Sequence, residues 1–71
     1  MKENNDFYKK VGRKIRFYRE KKNMTQAELG ERLGYTKNAV YTWEVGKCSL
    51  HLQTAKQICK ELDITLSQLI E

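Results

Sequence analysis

The 71-residue chain has no proline, two cysteines, one histidine and no apolar run approaching the length of a membrane span. A span needs about twenty predominantly apolar residues. The polar opening MKENND carries no leader or cleavage pattern, so the expected location is the cytoplasm. Two cysteines are too few for a disulfide framework, and neither sits in a ligand-spaced pair. A zinc site is therefore not expected, and no other metal, cofactor or small-molecule ligand is evident. His51 has no carboxylate orienter or nucleophile near it in sequence, and no glycine loop suited to phosphate is present. That argues against an enzyme. Without prolines, repeats, linkers or low-complexity tracts, the chain reads as one compact unit with a modest core, marginal in stability unless it oligomerises.

What the chain does have is positive charge, unevenly placed. The formal net charge is +5. Residues 1–24 hold nine Lys/Arg against three acids, residues 25–50 three against three, and residues 51–71 two against three. The excess falls on Lys9, Lys10, Arg13, Lys14, Arg16, Arg19, Lys21 and Lys22. Such a block suits a polyanionic partner, although a solvated helix face has the same composition.

The segment TQAELGERLGYTKNAVYTWEVG (25–46) is the most informative. Thr25 and Glu28 form a capping-box pattern that starts a helix. Leu29 and Leu33 share one face of it, and Gly30 leaves room for another helix to cross closely. Gly34 supplies the left-handed residue that ends the helix, and Thr36 can cap the next. Stepping that second helix at about 100° per residue puts Ala39, Val40 and Trp43 on one arc. Lys37, Asn38, Tyr41, Thr42 and Val45 fall on the opposite arc. One side packs and the other is free, a geometry that fits the major groove of DNA. Glu44, in the last turn, opposes the helix dipole and would repel phosphate, so it needs a cation.

The same segment resembles the helix-turn-helix of the Cro and phage-repressor (XRE-like) family. VGRKIRFYRE (11–20) is similar to that family's first helix, GKCSLHLQTAKQICKEL (46–62) to its fourth helix and preceding loop, and DITLSQLIE (63–71) to its short closing helix. The resemblance implies an all-α, five-helix, lambda-repressor-like domain over residues 7–71, preceded by a polar tail over 1–6. It implies DNA contacts from Gln26, Thr36, Lys37, Asn38, Tyr41, Thr42 and Lys47. Gln26 would bond a phosphate and brace the reading helix. Lys37, Asn38 and Thr42 would face base edges, with Tyr41 beside them. Lys47 and the amides near Gly46 would grip the backbone beyond. It also places Arg19 to bridge Glu44.

Expected core residues are Val11, Ile15, Tyr18, Met24, Leu29, Leu33, Val40, Trp43, Leu52, Ala55, Ile58, Cys59, Leu62, Ile64, Leu66 and Leu69, with Phe7 extending the first helix's stripe. Thr65 and Gln68 make a second capping box. Cys48 falls in a loop. Where the family commonly has proline and serine, this chain has Leu50 and His51, which leaves the 47–51 loop less rigid. Alanine is usual at Gly30, and a small aliphatic at Tyr35, which is expected to be partly exposed.

A single module reads only a few base pairs, so a homodimer on a pseudo-palindromic double-stranded operator is expected. Leu66, Leu69 and Ile70 form a candidate dimer surface, and Phe17 is another exposed candidate. The resulting function is transcriptional regulation, with repression by occupancy the simplest form. Relatives that control restriction systems or act as antitoxins are the alternative reading. A pure protein-interaction bundle is the reading from outside the class.

Overall fold

In the computed structural model, which describes residues 5–71, five α-helices follow one another and no strand occurs among the described residues. They are α1 (Asn5–Lys21), α2 (Gln26–Leu33), α3 (Lys37–Val45), α4 (Leu52–Leu62) and α5 (Leu66–Ile70). The expected tail over 1–6 is partly outside the described residues, and its last two residues already belong to α1.

Local chemistry sets the helix boundaries. The Thr25 hydroxyl accepts from the Glu28 amide at 3.0 Å, while the Glu28 carboxylate accepts from the Thr25 amide at 2.8 Å. Thr65 and Gln68 repeat the arrangement at 3.1 and 2.8 Å. Thr36 accepts from the Ala39 amide at 3.1 Å. Each pair satisfies helix-terminal donors that would otherwise lack partners. His51 occupies the cap position of α4 without a side-chain hydrogen bond. Gly34 and Gly46 close α2 and α3 in the left-handed conformation. Asn23 (φ 55°) and Asp63 (φ 63°) adopt it as well; short polar side chains tolerate this conformation better than most.

Ile15, Leu29, Val40, Ile58, Leu62 and Leu69 are fully buried, surrounded by Val11, Met24, Trp43, Ala55 and Cys59. Tyr18, Leu33, Ile64 and Leu66 are half-buried against this cluster. Tyr35 meets Trp43 edge-on with ring centroids 5.1 Å apart, yet keeps much of its surface in water.

Four expectations need correction. Phe7 is 44% exposed, so the α1 stripe leaves the core before reaching it. Leu52 is 61% exposed and not core. It is the first residue of α4, where the apolar stripe runs past the end of the core, and Leu50 packs there in its place. Leu69 is wholly buried, so the C-terminal apolar cluster cannot present it to a partner. At Gly30 no helix crosses: the close neighbour is the turn itself, and an added Cβ would stand within 3 Å of the Thr36 carbonyl.

The tightest approach at a glycine lies elsewhere. At Gly12, a Cβ would fall inside 3 Å of the carbonyl oxygens of both Trp43 and Glu44. At Gly46, it would meet the backbone of Lys9 at 2.7 Å. Helix α1 therefore lies directly on the last turn of α3, backbone against backbone, and fixes that helix in place.

Gly12→Ala should lower stability by about 2 kcal/mol or more, because overpacking against backbone outweighs the roughly 1 kcal/mol gained in helix propensity. The urea-unfolding midpoint measures it. An unchanged midpoint would contradict the close crossing of α1 and α3. Burial pushes the Cys59 thiol pKa up while Cys48 is exposed, so a thiol reagent should label Cys48 in the folded protein and reach Cys59 only on unfolding.

Candidate nucleic-acid interface

The turn between α2 and α3 decides where the second helix points. Gly34 reverses the chain, the Tyr35 amide donates to the Gly30 carbonyl at 2.7 Å, and Thr36 starts α3. Val40 and Trp43 then anchor α3 in the core. The opposite side faces out: Lys37, Asn38 and Tyr41 are exposed, and Thr42 and Val45 are half-buried. Val40 and Trp43 inward and Lys37, Asn38 and Tyr41 outward are as expected, while Ala39, Thr42 and Val45 lie at the boundary between the two arcs.

Glu44 is the one carboxylate on α3, and it is buried. The Arg19 guanidinium grips it with two donors, Nε at 2.6 Å and Nη2 at 3.1 Å. Its remaining arm donates to the Met24 carbonyl at 2.7 Å, closing the α1–α2 turn. The Gln26 amide donates to the same carboxylate at 2.9 Å. Glu44 thus ties α1, α2 and α3 together, and among the described residues no buried side-chain polar atom lacks a partner. The hydrogen bond to Glu44 chiefly raises the Arg19 pKa, with burial acting in the opposite direction. Its effect on the interface is electrostatic: the anion nearest the exposed face is already compensated.

Each residue expected to touch DNA can now be located. Lys37, Asn38 and Tyr41 lie together on the outer face of α3, with Thr36 exposed at its start and Lys47 exposed just beyond its end. The Thr42 hydroxyl donates to the Asn38 carbonyl at 2.8 Å. Its donor is therefore used within the helix, leaving its methyl and acceptor lone pairs. The Thr36 oxygen accepts the cap bond but keeps its own O–H as a donor.

Two assignments change. Gln26 braces the reading helix as expected, but through Glu44, so only the second N–H of its amide is left for a phosphate. The amides near Gly46 are also committed. Gly46 donates to the Trp43 carbonyl and Lys47 to the Thr42 carbonyl, both at 3.2 Å. Helix capping uses these two donors, while the Lys47 side chain is exposed just beyond them.

The exposed face borders an open groove of about 690 Å³ between α1 and α3, into which Lys37, Tyr41, Gln26, Arg13 and Arg16 project. In sequence the two arginines are indistinguishable from the rest of the basic block. Only the fold selects them.

A small all-α domain that turns one polar helix face outward beside a basic groove is a helix-turn-helix module. Residues 15–69, more than three quarters of the chain, match the family model described as Helix-turn-helix, and the chain belongs to that XRE/Cro-like family of DNA-binding transcription regulators. No curated protein sequence matches the chain significantly. Among the described residues no helix is long and apolar enough to cross a membrane.

Removing one partner of the buried pair, by Arg19→Met or Glu44→Gln, should cost about 3–5 kcal/mol. The double variant should cost less than the two single losses together, by about 1 kcal/mol or more. Strictly additive losses in denaturant titrations would remove the bridge from the account.

Proposed function

We propose that this protein is a repressor that binds a pseudo-palindromic double-stranded operator as a homodimer and acts by occupancy. The observation that carries the reading is the outer face of α3. Lys37, Asn38 and Tyr41 stand clear of the protein, while Val40 and Trp43 on the same helix are locked in the core. At nine residues α3 is about 13 Å long, comparable with the roughly 12 Å width of the major groove.

The chemistry assigns roles. Asn38 presents an amide that pairs bidentately with adenine N6 and N7, and Lys37 donates to guanine or to a phosphate. Thr42, its hydroxyl donor bound to Asn38, offers a methyl to thymine. Tyr41, with its hydroxyl free on the groove side, contacts a phosphate or base. Thr36, Gln26 and Lys47 hold the strands on either side.

Dimerisation follows from the small number of base pairs one α3 spans, each discriminated by about 1–3 kcal/mol. A second copy doubles the site and matches its symmetry. Support for a self-contact comes from Phe7, Leu52 and Ile70, which are 44%, 61% and 38% exposed and line one apolar groove with Leu50 and Leu66. Single exposed apolar residues are ordinary, whereas several around one concavity mark a contact surface.

Selection from random duplexes should return an inverted repeat with half-site centres about one helical turn apart. Asn38→Ala should lose about 1–3 kcal/mol of specific binding, relax preference at one base pair per half-site and melt like the parent. An unaltered preference would take Asn38 out of the reading set. Leu52→Glu should leave the fold intact, shift sedimentation to the monomer and abolish the advantage of the double site over a half-site. A parent protein that sediments as a monomer on and off the operator would refute the dimer.

A further inference from the structure

The basic block of α1 looks uniform in sequence, but its cations have different surroundings. The Lys14 ammonium donates to the Gln68 carbonyl on α5 at 3.3 Å. Lys21 lies over the Phe17 ring, 5.5 Å from its centroid. Lys22 is 3.9 Å from the Asp63 carboxylate beyond α4. Arg19 is consumed by Glu44. Arg13 and Arg16 are different: they line the groove that Lys37 and Tyr41 border from α3 and Gln26 borders from the start of α2.

We propose that α1 is a third DNA-contacting element, with Arg13 and Arg16 seating backbone phosphates in the groove between α1 and α3. The proposal rests on the DNA-binding reading above and adds a contact to it. Four observations carry it. First, the groove is continuous with the reading face, so a duplex lying on Lys37 and Tyr41 brings a strand to its mouth. Second, the two arginines are one helical turn apart, separated by about 4.5 Å along α1, which lets their long side chains fan onto neighbouring phosphates of one strand.

Third, among the described residues the groove has no uncompensated anion to repel a strand. Its one lining carboxylate, Glu44, is held by Arg19 and Gln26. Arg13 has no carboxylate within 4 Å among the described residues, and Arg16 has only Glu20, at 3.1 Å. Both members of that pair are more than half exposed, where such a pair contributes under about 1 kcal/mol and yields readily to phosphate. Fourth, a guanidinium matches phosphate oxygens with two parallel donors, a fit that an ammonium lacks. The groove therefore positions the module on the duplex without reading bases.

The test compares two double variants that remove equal charge, Arg13→Gln with Arg16→Gln and Lys14→Gln with Lys22→Gln. Each is titrated against a random-sequence 20-base-pair duplex by fluorescence anisotropy over a series of salt concentrations. Thermal melting confirms that both remain folded at the assay temperature. Each lost phosphate contact removes about 0.9 from the slope of log K against log salt. The arginine pair should flatten the slope by about 1.8, and the lysine pair should leave it near the parent value. On selected operators, the arginine variant should keep the parent's base preferences.

Equal slopes for the two double variants would overturn the proposal, showing a general charge effect instead of seated phosphates. A parent slope retained by the arginine variant would overturn it as well, while leaving the DNA-binding reading intact. Failure of the parent protein to bind duplex at low salt would overturn both.

Discussion

The carboxylate of Glu44 sits where α1, α2 and α3 meet, and the geometry of the interface depends on how it is held. A lone anion there would be buried in the last turn of a helix whose dipole already disfavours it. It would also stand beside the surface that must approach phosphate. Arg19 resolves both conflicts with a two-donor grip, and Gln26 adds a third hydrogen bond from the next helix. A buried pair of this kind is weak evidence for net stability, because desolvation offsets much of the attraction. Its contribution is orientation. With Gly12 allowing α1 to lie against the Trp43 and Glu44 carbonyls, the position and roll of α3 are fixed by a polar lock and a steric one that meet at Glu44.

That lock accounts for how sharply α3 divides between a buried and an exposed side. Lys37 and Asn38 are exposed and Tyr41 is about half exposed, while Val40, Trp43 and Glu44 are buried on the same short helix. Substitution at the first three positions changes what the surface presents without touching the core. At Gln26 the two duties coincide, since its amide serves Glu44 and faces the groove. Changes there alter the placement of α3 and the groove surface together.

Much of this was legible in the sequence wherever the determinant is local. The two capping boxes, the Gly34 turn and the apolar arc of α3 follow from residues within four positions of one another, and the structure has them as read. The Arg19–Glu44 bridge spans 25 residues and was reached through the family resemblance together with the charge problem at Glu44. What escaped was non-local. Nothing in the pattern around Gly12 reveals that another backbone crosses it. Asn23 and Asp63 close helices in a conformation usually left to glycine, and their side chains alone do not announce it. Leu52 fits the α4 stripe by periodicity, but periodicity does not say where the core ends. The Gly46 and Lys47 amides serve the helix cap, a commitment that the residue pattern does not announce.

The distribution of charge follows the same rule at longer range. A net excess of cations on one helix gives an attractive field for any polyanion, and that field depends little on where each side chain points. A defined register on a duplex requires fixed donors, and fixing them means giving some cations other partners. Lys14 and Lys22 reach α5 and the Asp63 turn, and in doing so they draw charge away from the groove side. What remains lining the groove beside α3 is a pair of guanidiniums on a helix that Gly12 lets lie against α3, with Lys9 at the Gly46 end. A contact made from that position moves with α3 as one body.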